Sequence, residues 1–315
     1  MTKTIEKYNQ KSLIKEILFW KKKRDAVILA HIYQPGEIQD IADFTGDSLF
    51  LSQQAALTDA KVIVFCGVHF MAETAAMLSP EKIILLPEAK AGCPMADMAP
   101  AEEVRNKIKD LPGIVVLSYV NSSAIVKSLS DYCCTSSNAV QVAKAIPAEK
   151  EILFLPDKNL ADFTIKNSKR KIIPWPGFCP VHHLLTLDDI IKVKKLHPQA
   201  LLLVHPECRP EICNLADYIG STRGIINFAS NNPATEYIIA TELGILYPLK
   251  KNNPQKNFFP ASENMVCQNM KLNTLEKILY SLKNLEPQIT VPDEIRRKSL
   301  KALNRMMEIS KKAKL

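Results

Sequence analysis

Val27-Ile28-Leu29-Ala30-His31 runs from an unbroken apolar, β-rich segment straight into an imidazole, and the reading of the whole chain turns on the recurrence of this transition. Residues 114–118 lead in the same way into Tyr119, and residues 201–204 into His205. Each copy reads as a buried strand ending in a polar ring. Seventeen residues after each ring stands a hydroxyl in a turn-like cluster: Ser48 in Gly46-Asp47-Ser48, Ser136 in Thr135-Ser136-Ser137-Asn138, and Thr222 in Gly220-Ser221-Thr222. Between ring and hydroxyl the apolar residues fall at helical spacing, as at Ile38, Ile41 and Ala42 or at Ile125, Val126 and Leu129. Strand–helix alternation recurs by accident in parallel α/β proteins, but three identical spacings from ring to hydroxyl are poorly explained that way.

Working outward, a second strand is predicted in each copy at residues 62–65, 152–155 and 225–228. A third follows at Lys82-Ile83-Ile84, Lys171-Ile172-Ile173 and Asn257-Phe258-Phe259. A loop then delivers one cysteine per copy, Cys93, Cys179 and Cys267, separated by 86 and 88 residues. The pattern predicts an α/β protein made of three homologous three-layer αβα domains, each with a short parallel sheet, around a pseudo-threefold axis. The expected divisions are an N-terminal helical extension over residues 1–24, repeats over 25–110, 111–197 and 198–291, and a C-terminal helix over 292–315. Ligands of parallel sheets collect at the carboxyl ends of strands. Rings, hydroxyls and cysteines all lie at such ends, so the three units are expected to converge there.

Composition narrows the function. Hydrophobic residues at 47% and charged residues at 23% describe a globular chain. The longest apolar runs, such as residues 63–65 and 201–204, fall far short of the roughly 20 residues of a membrane helix. The polar start, residues 1–10, lacks the apolar core of a secretory signal, so a cytoplasmic protein is expected, with no membrane partner. Much of the net charge of +8 lies in Lys21-Lys22-Lys23-Arg24 and residues 296–314. Without interleaved aromatics these read as solvated helix faces and not as a nucleic-acid surface, the last one carrying an apolar stripe at Leu300, Leu303, Met306 and Ile309. Nine glycines and the absence of a dinucleotide or phosphate-loop motif argue against a nucleotide cofactor.

Eight cysteines in a chain expected in a reducing compartment favour metal or redox chemistry over disulfides. The choice lies between zinc and an iron–sulfur cluster. Structural zinc usually takes close pairs such as C-x-x-C, and none is present. Three separated thiolates suit a 4Fe-4S cluster whose fourth iron lacks a protein ligand and acts as a Lewis acid. Of the other thiols, Cys66 reads as core, Cys133 and Cys134 are too close to chelate together, and Cys208 and Cys213 are a pair or structural. His31 and His205 occupy equivalent positions after strands; His182 supports the loop of Cys179, His183 and His197 read as surface, and His69 stays open. Glu207 is either a general base beside the centre or an ion-pair partner of Arg209.

The ordered motifs resemble those of the quinolinate synthase family. They include Ala30-His31-Ile32-Tyr33-Gln34, Gly92-Cys93-Pro94-Met95, Tyr119-Val120-Asn121, Gly177-Phe178-Cys179-Pro180-Val181-His182, His205-Pro206-Glu207-Cys208 and Glu263-Asn264-Met265-Val266-Cys267-Gln268-Asn269-Met270. The resemblance implies three homologous domains around one 4Fe-4S cluster held by Cys93, Cys179 and Cys267. It implies a transferase that condenses iminosuccinate with dihydroxyacetone phosphate to quinolinate, phosphate and water in NAD biosynthesis. His31, Ser48, Tyr119, Asn121, Ser136, His205, Glu207 and Thr222 are then expected to bind substrate, with Glu207, His31 and Tyr33 moving protons. An aspartate oxidase or dehydrogenase is implied upstream. A C-x-x-C pair that some relatives carry at the third cysteine, a regulatory disulfide there, is missing from Cys267-Gln268-Asn269-Met270. Competing readings are a diphthamide-synthesis-like radical S-adenosylmethionine enzyme and a non-catalytic iron–sulfur sensor.

Overall fold

A computed structural model describes residues 10–312. Residues 1–9, most of the polar start, and residues 313–315, which end the basic C-terminal stretch, lie outside the described residues. Three four-stranded parallel sheets carry the fold. The first comprises β1 (Ala26–His31), β2 (Phe44–Gly46), β3 (Val62–Cys66) and β4 (Ile83–Leu85), in the order β2-β1-β3-β4. The second repeats that order with β5 (Val115–Tyr119), β6 (Tyr132–Cys134), β7 (Ile152–Leu155) and β8 (Ile172–Pro174). The third does so again with β9 (Leu201–Val204), β10 (Tyr218–Ile219), β11 (Glu236–Ala240) and β12 (Asn257–Pro260).

Register repeats along with order. Leu29 lies opposite Phe44, Leu117 opposite Tyr132 and Leu203 opposite Tyr218. An aspartate just before each of the edge strands β2, β6 and β10 latches that register. Asp43 Oδ2 accepts from Ile28 N at 2.8 Å, Asp131 Oδ2 from Val116 N at 2.8 Å and Asp217 Oδ2 from Leu202 N at 2.7 Å. Each aspartate returns its own N–H to the carbonyl of the same partner at 2.9 Å. The edge strands are too short to hold themselves, so a side chain that mimics one more ladder bond completes the pairing.

Strands buried on both faces need continuous apolar runs, which is why no polar alternation marks them in the sequence. Leu29, Leu117 and Leu203 turn into one central core shared by the three sheets. Their neighbours Ile28, Val116 and Leu202 face separate outer layers. Over the first sheet that layer contains the helices Gln10–Lys23 and Leu275–Asn284, the latter contributing Leu275, Ile278 and Leu282 from far along the chain. The apolar stripe expected in the C-terminal helix Asp293–Lys312 is real: Leu303 and Met306 are buried and Leu300 and Ile309 half-buried. Ser299 Oγ of that helix donates to Ala124 O at 2.9 Å, fastening it to the second unit.

One expected strand is a helix. Residues 225–228 belong to the helix Thr222–Asn231, started by the Ser221 hydroxyl, which accepts from Gly224 N at 3.2 Å. The β-branched and aromatic residues there imitate a strand, yet Ile225 and Ala229 are buried one turn apart on one face. The true strand, β11, pairs Tyr237 with Leu201, a separation of 36 that Ile63 and Val27 share. Removing one aspartate latch tests the register argument. Asp131→Ala leaves the Val116 N–H without its acceptor and lowers stability by about 1–2 kcal/mol, read as a lower denaturant midpoint at constant slope; an unchanged midpoint would show that the latch contributes nothing.

Candidate active site

Every residue singled out from the sequence for cluster or substrate binding lines one cavity of about 240 Å³. The carboxyl ends of β1, β5 and β9 each project a pair two residues apart: His31 and Tyr33, Tyr119 and Asn121, His205 and Glu207. Ser48 and Thr222 occupy the first positions of the helices Ser48–Leu57 and Thr222–Asn231, and Ser136 lies in the turn before Ala139–Ala145. Helix starts with their unpaired N–H groups therefore border the cavity and favour anions there.

A chain of hydrogen bonds joins the three units inside it. Tyr119 Oη donates to Glu207 Oε1 at 2.6 Å. Glu207 Oε2 lies 2.9 Å from His182 Nδ1, whose Nε2 is 2.8 Å from Thr241 Oγ1. Thr241 Oγ1 is 2.7 Å from Tyr33 Oη, which stands 2.8 Å from Thr222 Oγ1. With Nδ1–H donating to the carboxylate, His182 Nε2 accepts from Thr241, which accepts from Tyr33: a carboxylate–imidazole–hydroxyl series with a phenol at its end. Burial alone would push the Glu207 carboxyl up, but His205 and His182 and the hydrogen bonds from His182 and Tyr119 hold it below the usual carboxylate range. Burial and the Glu207 charge instead push Asp157 well up. Burial and Glu207 likewise raise the Tyr33 and Tyr119 phenols, which stay protonated.

His31 Nδ1 accepts the N–H of Tyr33 at 3.1 Å, and His205 Nδ1 faces the N–H of Glu207 at 3.4 Å. Each ring is thereby set as the tautomer with its proton on Nε2. Burial, with Lys271, lowers His31 to about 3; burial, resisted by Glu207, lowers His205 to about 3.

The cysteine loops hang from the sheets in one way. The carbonyl two residues before each cysteine accepts a backbone bond from just beyond the second strand: His69 N to Ala91 O at 2.7 Å, Lys158 N to Gly177 O at 2.8 Å, Leu243 N to Met265 O at 2.9 Å. Two buried carboxylates then hold cysteine N–H groups, Asp157 Oδ2 that of Cys179 at 3.0 Å and Glu242 Oε1 that of Cys267 at 3.1 Å. Asn269 Nδ2 donates to Gly92 O at 2.9 Å, tying the third loop to the first beside Cys93. Burial pushes Cys93 up to about 12 and raises Cys179 and Cys267 as well. Thiols so placed ionise only against a strong local positive charge, which a soft metal centre supplies. Three such thiols, on three loops and lining one cavity, fit a cluster with three protein ligands. Cys179, His182 and Glu207 also cluster within 4.8 Å, but both nitrogens of His182 already face hydrogen-bond partners.

The remaining candidates separate cleanly. Cys66, Cys133, Cys134 and Cys208 are buried, and all eight cysteines are free thiols, Cys213 Sγ donating to Cys208 O at 3.5 Å. Arg209 pairs with Glu211 at 3.2 Å, which leaves Glu207 to the histidines. His182 does support its cysteine, 3.2 Å from Cys179 Sγ. His183 and His197 are only half-buried, their rings packed against Phe178 (tilted) and Phe259 (stacked). His69 is exposed, 3.8 Å from Glu73. Thr241, Asp157 and Glu242 were missed; each lies within two residues of the carboxyl end of β7 or β11.

Fold and site together define an enzyme of three parallel α/β units that share a central three-thiol cavity. The profile of the Quinolinate synthetase A protein (NadA) family matches residues 15–308, and the chain belongs to that family. It is 54% identical to the quinolinate synthase of Thermodesulfovibrio yellowstonii, over 94% of this chain and 98% of that one. It is 51% identical to the quinolinate synthase of Methanosarcina barkeri, over 95% and 98% of the two chains. A relative from Dehalococcoides mccartyi, also a quinolinate synthase, is 53% identical over 92% and 96%.

The neutral histidines give a pH dependence of defined sign. Between about 6.5 and 3 the unfolded chain binds protons that buried His31 and His205 refuse, so their stability contribution is complete above 6.5 and is lost as pH falls. The denaturant midpoint of the apoprotein is expected to drop between pH 7 and pH 5, with a shallower drop in His31→Asn; equal slopes would remove His31 from the account.

Proposed function

We propose that the protein is a quinolinate synthase, condensing iminosuccinate with dihydroxyacetone phosphate to give quinolinate, phosphate and two waters. Membership of the family and about 50% identity over nearly the full length of curated quinolinate synthases support the activity. The observation that carries the chemistry is the hydrogen-bonded series from Glu207 through His182 and Thr241 to Tyr33. Cys93, Cys179 and Cys267 would hold a 4Fe-4S cluster, which when bound supplies a Lewis-acidic iron with an open coordination position.

The chain's own groups account for binding and proton movement. Ser48, Ser136 and Thr222 offer hydroxyls at helix starts, where phosphate and carboxylate groups are favoured. His31 and His205 offer Nε2–H donors that stay neutral on binding an anion. Asn121 Oδ1 is buried without a partner, an acceptor left for an N–H or O–H of substrate. Tyr33 takes a proton from substrate at Oη as it passes its own to Thr241 Oγ1, which passes its own to His182 Nε2; the Glu207 carboxylate stabilises the imidazolium so formed, and the reverse sequence returns the proton to a developing alkoxide. Tyr119 holds the other carboxylate oxygen, so Glu207 cannot swing away from His182. Residues 25–110, 111–197 and 198–291 form the three units in this reading, each supplying one thiol and one hydroxyl.

Among the described residues no helix is long and apolar enough to cross a membrane. We place the enzyme in the cytoplasm, supplied with iminosuccinate by an aspartate oxidase or dehydrogenase. The test is anaerobic turnover of cluster-loaded protein on dihydroxyacetone phosphate and freshly generated iminosuccinate, followed as phosphate and quinolinate together. Equal release of both, abolished by Cys93→Ser, is expected; a full cluster with neither product would sink the assignment. Glu207→Gln and Thr241→Val, which break the series at its carboxylate end and at its internal hydroxyl, each lower the rate about 10²-fold with iron content unchanged. Near-normal turnover in Thr241→Val would remove the relay.

A further inference from the structure

We propose that Arg223 is the capture residue for the anionic substrates, fixed at the mouth of the central cavity; the inference rests on the quinolinate synthase reading. A second, wider cavity of about 680 Å³ adjoins the central one, the two sharing Asp47 and Ser136 in their walls. Three helix starts converge on it. Arg223 directly follows Thr222 in the helix Thr222–Asn231, so one residue lines the inner cavity and its neighbour the outer. Among the described residues it is the only Lys or Arg in the outer lining, and it also borders a further cavity that holds Asp40 and Lys251.

Its placement is built. The guanidinium lies 4.6 Å from the centroid of the Phe50 ring, which belongs to the facing helix Ser48–Leu57 of the first unit. That ring is itself fixed, because it packs so closely on Gly46 that a Cβ there would sit 2.3 Å from Phe50 Cδ1. A flat cation on an aromatic face keeps its N–H edge free for an oxyanion while losing little side-chain freedom. No hydrogen bond or ion pair among the described residues engages Arg223, although the protein contains 33 acidic residues that could neutralise it. The charge is thus held over a rigid ring, exposed and unspent, between the hydroxyl-bearing starts of two helices.

An exposed cation beside a cavity bordered by helix N-termini raises the local concentration of anions and the rate of their arrival. Both substrates qualify, one a phosphate monoester and the other a dicarboxylate. Their contributions separate when kcat/KM is measured for each with the other saturating.

The experiment compares wild-type, Arg223→Lys and Arg223→Glu holoenzymes at low and moderate ionic strength. At about 0.01 M, where the screening length is about 30 Å, Arg223→Glu is expected to lower kcat/KM about tenfold, mostly through KM. Arg223→Lys keeps most of the rate. The gap narrows towards about 0.15 M, where screening reaches about 8 Å. Inorganic phosphate, used as a competing anion, inhibits the Glu variant more weakly than wild type. Loss confined to the triose phosphate assigns the residue to the phosphate, and loss confined to the dicarboxylate assigns it there. Wild-type kcat/KM for both substrates in the Glu variant would overturn the proposal, as would a loss that salt does not diminish, which would mark a packing role on Phe50. Failure of the wild-type enzyme to turn over would instead strike at the quinolinate reading.

Discussion

The carbonyl two residues before each cysteine accepts an N–H from just past the second strand of its unit, and the geometry of the centre depends on that bond made three times. A cysteine loop has no regular structure to hold it. Tethered at Ala91, Gly177 and Met265, each loop is carried by the rigid end of a sheet, and three sheets sharing one apolar core fix three thiols relative to each other. Asp157 and Glu242 add a second point of attachment on two of the loops. In the first unit Val68 occupies the place just after the second strand, and Asn269 reaches across from the third loop to Gly92 instead.

That frame also settles the electrostatics. Two carboxyls, Glu207 and Asp157, are buried near one another, and the structure drives them apart: donors converge on Glu207, while Asp157 keeps only backbone bonds and feels its neighbour's charge. Their proton affinities are therefore pulled in opposite directions, Glu207 towards the carboxylate and Asp157 towards the acid. Around them His31 and His205 are neutral and the phenols intact, and a continuous hydrogen-bonded series runs from Tyr33 to Glu207.

The fold and most of the site were legible because repetition writes the same instruction three times. A strand ending in His31, Tyr119 or His205 and a hydroxyl seventeen residues later locate both the sheet and its functional edge. What escaped was local or long-range. Residues 225–228 have strand-like side chains, and only the Ser221 cap and the pairing of β11 reveal the helix. The edge strands β2, β6 and β10 are two or three residues long, below what periodicity can register, though Asp43, Asp131 and Asp217 mark them. Thr241 looks ordinary in sequence, since its meaning comes from His182, 59 residues away.

The helix Leu275–Asn284 covers the first sheet, although it follows the third in the chain. During synthesis, Ile28, Val62 and Val64 therefore wait without that cover until residue 282 has left the ribosome. The oldest part of the nascent chain is finished by nearly the youngest. The three units cannot mature as beads on a string: the chain closes on itself like a clasp, and a chain cut short before residue 275 leaves the outer face of its first sheet only partly covered, by the helix Gln10–Lys23.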